Sequence, residues 1–289
     1  MDELVIKACL NGTRGREVAG TVPWTPVEVA AEAKRCADAG AAIVHFHARG
    51  TDGSISYDPA WYSEADRLIR GQTDLILNHT TVRTADVPID TVLKTLTDTP
   101  EPVDMIALNP GYLVLHIANA KAGRDSLVIP NTYSDMQALL AVCSARGIVP
   151  EATALDCGFL STVVMLVEDG LLASPRYVLL EFGGRFGDGL QVMPGNARSY
   201  RFMVDSLQEV FPDASWIAHG IEDSVFEIAK LTIDDGAHVR VGFEDSAILD
   251  DGSVAASNAD FVRWAVERGR ALGREPASPA AARAMLLPA

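Results

Sequence analysis

Six histidines are present in this chain of 289 residues, and two of them, His45 and His47, stand two apart in the apolar run AAIVHFHARGTDG, residues 41–53. On an extended strand, residues i and i+2 share a face, so both imidazoles point one way while Val44 and Phe46 point the other. Paired imidazoles on one face suit a first-row divalent metal. A third ligand must then come from elsewhere, and a carboxylate leaves positions open for substrate. The plainer alternative is a pair of structural, hydrogen-bonded histidines. A second cluster, RVGFED at residues 240–245, holds Arg240, Glu244 and Asp245. Arg240 and Glu244 share a face, whereas Glu244 and Asp245 face opposite ways if the strand runs through both. An arginine and a carboxylate inside a core are costly unless paired or used, so a buried salt bridge is the structural alternative.

The elements that must position these groups alternate along the chain. Strand-like runs at residues 4–12, 42–49, 74–81, 104–111, 148–156, 176–184, 215–223 and 237–245 are each followed by an amphipathic helical pattern. The first helix carries Thr25 as N-cap, Pro26 at its first position, Glu28 completing a capping box and Gly40 at its end. Residues 112–132 are too apolar for a simple loop and suit a small hairpin. Strands alternating with helices imply a parallel sheet. Eight such units in one chain predict an α/β fold, a (β/α)8 TIM barrel in a single domain spanning 1–289. The tail EPASPAAARAMLLPA predicts a short extra C-terminal helix, placed to pack on a neighbouring subunit. A doubly wound sheet is the rival, but the loop after the first strand, NGTRGREVAGTVPWT, lacks a GxGxxG turn.

In barrel enzymes the chemistry gathers where strand C-termini meet their loops. Those ends carry Asn11, Arg14 and Arg16; His45, His47 and Arg49; Asn78, His79, Thr80 and Thr81; Asn109; Glu151 and Asp156; Glu181; His219, Glu222 and Asp223; and Arg240, Glu244 and Asp245. His79 and His219 read as neighbours of a site rather than ligands, and His116 and His238 as structural. Glu222 and Asp223 suit a helix start, where acids complement the dipole. Arg14 and Arg16 over a barrel mouth suit an anion.

A formal charge of −15 argues against nucleic acid or an anionic membrane surface as partner. No long uncharged apolar run predicts a membrane span, and the N-terminus lacks the basic segment and apolar core of a signal peptide. The four cysteines are widely spaced, three of them among apolar neighbours, which suits free buried thiols in a reducing cytoplasm.

Taken together, PWTPVEVAAEAKRCADAGAAIVHFHARGTDG, HVRVGFEDS and DGSVAASNADFV resemble the β-keto acid cleavage enzymes over nearly the whole chain. The combination of HxHxR with RVGxED is specific to that wording. The resemblance implies a TIM barrel, a homotetramer and a zinc ion held by His45, His47 and Glu244, with Arg240 and Asp245 as a catalytic dyad. It implies condensation of a β-keto acid with acetyl-CoA to give acetoacetate and a new CoA thioester. Asp245, oriented by Arg240, would promote deprotonation; Thr80 and Thr81 would bond the acyl oxygen; Asn11 and Asn109 would contact substrate. Two departures stand out. Arg14 occupies the place of an acid that meets amino-bearing substrates, which implies a tail that is not cationic and suits a carboxylate. The PExExxD pattern here keeps Glu151, assigned a catalytic role, but carries Thr153 in place of its second acid. Rival readings are another metal-dependent barrel lyase or hydrolase, and a metabolite-binding barrel without activity, fed by Thr153. The amidohydrolase pattern, with HxH on its first strand and further histidines and a lysine, is hard to assemble here.

Overall fold

The computed structural model describes residues 3–17, 19–119, 123–184 and 192–288, without the side chains of 115–119, 123–125 and 127. His116 and part of the EFGGRFG segment therefore lie outside the described side chains. Eight parallel strands close a barrel: β1 (Ile6–Cys9), β2 (Ile43–Phe46), β3 (Ile76–His79), β4 (Met105–Leu108), β7 (Val149–Ala154), β8 (Tyr177–Glu181), β9 (Ser215–His219) and β10 (His238–Val241). Between β4 and β7 the apolar insertion forms an antiparallel hairpin of β5 (Leu113–Asn119) and β6 (Gly123–Ile129). Around the ring, β1 lies between β10 and β2, so the first and last strands meet.

The outer wall comprises α1 (Pro26–Ala39), α2 (Pro59–Arg70), α3 (Ile89–Thr97), α4 (Tyr133–Arg146), α5 (Cys157–Glu168), α6 (Ala197–Val210), α7 (Val225–Asp234) and α8 (Asn258–Ala271). The capping chemistry of α1 is as its sequence predicts: Thr25 and Glu28 exchange bonds, and Gly40 ends the helix at φ 114°, in the left-handed region that favours glycine. Strand residues alternate between two cores. Outward side chains such as Ile6, Ala8, Val44, Phe46 and Leu77 pack against the helices. Inward residues at the lower end, Val5, Ile43, Ile76, Met105, Tyr177 and Ile217, fill the barrel itself.

The C-terminal helix α9 (Pro279–Leu286) forms as expected from the sequence. Ala282, Leu286 and Leu287 pack under the inner core, against the chain's own barrel. Arg283 pairs with Asp104, and Ala277 N–H donates to Leu4 O at 2.9 Å, fixing the tail to the barrel floor. Cys9, Cys36 and Cys143 are buried, whereas Cys157, at the start of α5, is exposed. No helix among the described residues is long and apolar enough to cross a membrane.

Candidate active site

His45 lies at the end of β2, but β2 stops at Phe46, so His47 stands one residue beyond the regular ladder. Its position is held by a side chain instead of a strand partner. Asn11, past the end of β1, accepts from His47 N–H through Oδ1 at 2.9 Å and donates through Nδ2 to His47 O at 3.0 Å. The amide thus extends the pairing by one step and keeps both imidazoles on the inner face.

Glu244 and Asp245 arrive differently from the strand extrapolation. The strand ends at Val241, and a tight turn follows in which Asp245 N–H and Ser246 N–H donate to Gly242 O at 3.0 and 3.1 Å. Gly242 sits at φ 146°, and a Cβ there would collide with Cys9 O, so glycine is required. Alternation stops at this turn, and both acids face the barrel mouth around Arg240.

The three donors of His45, His47 and Glu244 converge. Nε2 of His45 lies 3.2 Å from Nε2 of His47 and 3.5 Å from Glu244 Oε2, and His47 Nε2 lies 3.4 Å from Glu244 Oε1. Tetrahedral coordination with bonds of 2.0–2.1 Å would place ligand atoms about 3.3 Å apart, so the spacing fits zinc. Glu244 Oε2 is buried and has no hydrogen-bond partner, which leaves a bare acceptor where a cation would sit. Burial drives the His45 imidazole well below its ordinary pKa, leaving it neutral as a ligand must be. Burial would raise the Glu244 carboxyl, but Arg240 and the two imidazoles hold it well below the usual range. The set can hold one divalent metal.

Beside it, Arg240 binds Asp245 through both arms, Nε to Oδ2 at 3.1 Å and Nη2 to Oδ1 at 2.7 Å, and reaches Glu244 Oε1 at 3.0 Å. Burial opposes ionisation of Asp245, but Arg240 and His219 outweigh it and bring its carboxyl down to about 2. His219 lies between Asp245 and the cavity wall: Nδ1 is 3.2 Å from Asp245 Oδ1, and Nε2, 3.3 Å from Glu181 Oε2, makes no hydrogen bond. Burial and Arg240 depress the His219 imidazole, and the two carboxylates more than restore it, raising its pKa.

The three donors and Arg240 border a narrow cavity of about 70 Å3 that opens at the barrel mouth. His45, His47, Arg240, Glu244, Glu181, Thr80 and Asn109 supply its polar wall. Opposite stand Leu113 and Ile129 from the hairpin, with Leu155, Phe159 and Thr153. The Thr153 hydroxyl is buried without a hydrogen-bond partner.

Several residues singled out in the sequence take other places. Asn11 is spent on His47 and on Pro23 O, so it positions a ligand rather than touching substrate. Thr81 donates to Ala107 O at 2.6 Å, and of the two threonines Thr80 lines the cavity. Glu151 is buried below the cavity, with its carboxylate bound by Lys7, Tyr177 and Asn78, so it does not meet substrate in this arrangement. Arg14 donates to the carbonyls of Glu244 and Asp245 at 3.1 and 2.8 Å and pairs with Glu222 at 2.6 Å; its donors brace the turn that carries both acids. Arg16 goes to Glu28 and Val22 O, away from the cavity. His79 faces outward, bonded to Asp66 at 2.8 Å and packed on Tyr62. His238 is buried and accepts from Val5 N–H, as a structural histidine would. Sequence reasoning passed over Lys7, and it placed Asn78 at a strand end without giving it a role. Lys7 had a signal: a lone cation on an apolar strand is fully buried only when paired.

Residues 3–287 match the family model described as beta-keto acid cleavage enzyme. The chain is 31% identical over 288 residues to the 3-keto-5-aminohexanoate cleavage enzyme of Fusobacterium nucleatum, covering 99% of this chain and 98% of that one. It is 30% identical to the 3,5-dioxohexanoate:acetyl-CoA acetone transferase of Paraburkholderia graminis, covering 92% and 89%. Among solved structures, ObcA with oxaloacetate superposes with a TM-score of 0.73 at 17% identity, covering 92% of this chain and 67% of that one, a likeness of fold.

Proposed function

We propose that this chain, which belongs to the β-keto acid cleavage enzyme family and is an enzyme, condenses a β-keto acid with acetyl-CoA and releases acetoacetate and a new acyl-CoA. The observation that carries this reading is the convergence of His45, His47 and Glu244 on one point of a cavity that Arg240 also lines. Zinc bound by those three would supply Lewis acidity toward the keto and carboxylate oxygens and lower the cost of an enolate. The name of the P. graminis relative pairs a keto acid with acetyl-CoA, which supports acetyl-CoA as the co-substrate here.

In this reading Arg240 offers its guanidinium to the substrate carboxylate and to the negative charge that develops beside it. Asp245, held by Arg240, promotes removal of the α-proton. His219, 3.2 Å from Asp245 Oδ1, helps to hold that carboxylate in place. The carbanion attacks the acetyl thioester, where Thr80 and Asn109 donate to the acyl oxygen. CoA then passes to the other acyl group, and retro-Claisen cleavage frees acetoacetate. The hairpin residues Leu113 and Ile129 shield the carbanion from water. The homotetramer implied by the sequence resemblance belongs to the same proposal, and light scattering at the mass of one chain would count against it.

The test is purified protein with zinc, acetyl-CoA and a panel of β-keto acids with cationic, anionic and neutral tails, assayed for acetoacetate. Acetoacetate that appears only with acetyl-CoA present supports the proposal. Its absence across all three tail classes refutes it, and turnover without acetyl-CoA favours the rival lyase or hydrolase.

A further inference from the structure

One layer below the metal-binding triad, side chains from five strands join head to tail inside the barrel. Lys7 on β1 pairs with Glu151 Oε2 on β7. Tyr177 on β8 donates its hydroxyl to Glu151 Oε1 at 2.9 Å, and Asn78 on β3 donates Nδ2 to Glu151 Oε2 at 3.1 Å. Asn78 Oδ1 in turn lies 2.6 Å from His45 Nδ1 on β2. All five side chains are buried.

The polarity of this row runs one way. An ammonium, a phenol and an amide N–H all point at Glu151, which therefore acts as a carboxylate with nothing but acceptors to offer. Asn78 must then turn its Nδ2 toward Glu151, because the opposite flip would press Oδ1 against a carboxylate oxygen. That choice leaves Oδ1 facing His45. An amide oxygen accepts only, so the proton of His45 sits on Nδ1 and the lone pair on Nε2 points at His47 and Glu244. A buried ion pair is seldom the most stabilising filling for a core, so its presence here calls for another use.

We infer that Lys7 and Glu151 are positioning residues that act through Asn78 to fix which ring nitrogen of His45 faces the metal position. This rests on the zinc site proposed above. Glu151 thereby has a part in the reaction without touching substrate, and Lys7 holds its charge in place.

Two measurements test the inference. Nitrogen NMR of the zinc-free full chain reads the His45 tautomer directly. A single Nδ1-protonated form is expected, and an Nε2-protonated form overturns the inference without any variant. The second measurement is zinc affinity, by chelator competition, for the wild type, for Lys7→Met/Glu151→Met and for Asn78→Leu. The double substitution removes both charges together and leaves neither orphaned. Affinity in both variants is expected to fall roughly 10–100-fold, with a mixed His45 tautomer in the double variant. Wild-type affinity and a single tautomer in the folded double variant overturn the inference; if that variant does not fold, unchanged affinity in Asn78→Leu does so. A wild-type chain that binds no zinc refutes the metal reading instead, while its tautomer still reports on the relay.

Discussion

Gly12→Ala tests the geometry of the site with one added carbon. Gly12 sits at φ 50° in the turn after β1, and a Cβ built there would lie 3.0 Å from Glu244 Cδ and 3.1 Å from its Cβ, with Cγ closer still. Carbon atoms rest about 3.5–4.0 Å apart, so the Glu244 side chain must retreat by roughly 1 Å or more at Cγ. Arg14 holds the Glu244 backbone from behind, so the shift falls on the carboxylate. A misplacement of about 1 Å can cost on the order of 100-fold in rate, and we expect kcat/KM for acetoacetate formation to fall by roughly that factor, with weaker zinc binding. The left-handed backbone adds about 1 kcal/mol of strain, which shifts Tm by only about 2 °C in a chain of this size. Loss of function with small loss of stability is therefore the expected signature, read by coupled assay, metal analysis and thermal melt. Full activity and zinc affinity in Gly12→Ala would refute the placement of Glu244.

Three further substitutions probe the supports. Asn258→Ala strips partners from Phe243 N–H and Leu10 O, held at 2.7 and 3.1 Å. Two bare buried groups cost about 3 kcal/mol, measurable by urea denaturation, and a loss under 1 kcal/mol would dismiss that clamp. Arg14→Glu breaks the brace on the Glu244–Asp245 turn and sets like charges together at Glu222, so turnover should fall roughly tenfold for every substrate tail alike. A loss confined to anionic tails would return Arg14 to substrate recognition. Asp245→Asn tests the pH linkage. With the native carboxyl at about 2 against 3.8, its stabilisation of about 2 kcal/mol is complete above about pH 4 and lost as the pH falls toward 2. The stability gap between wild type and variant should close over that window, and a gap constant from pH 5 to pH 2.5 contradicts the shift.

Much of this architecture was legible because its signals are local. Strand–helix alternation gave eight units, Thr25, Glu28 and Gly40 marked a helix from end to end, and period-two alternation placed His45 and His47 together. What escaped was decided by partners distant in sequence. Lys7 and Glu151 meet across 144 positions, and nothing beside either names the other. Arg14 looked available for an anion because the carbonyls that take its donors belong to the turn after β10. The inward turn of both Glu244 and Asp245 depends on a backbone angle at Gly242, where alternation no longer applies. The tail was legible as a helix, whereas the inner core that Ala282, Leu286 and Leu287 meet was not.

The ring order β10-β1-β2 has a consequence for assembly. His45 and His47 come from one side of β1, and Glu244 comes from the turn on its other side, so the triad straddles the seam where the two ends of the sheet zip together. A cation held there grips the closed ring and finds no such grip on an open one. At a hundred times its Kd, such a ligand favours closure by about 2.7 kcal/mol. The metal position is in this sense a clasp. Chelation should loosen the seam before the far wall, with amides of β1 and β10 exchanging hydrogen sooner than those of β4 and β7.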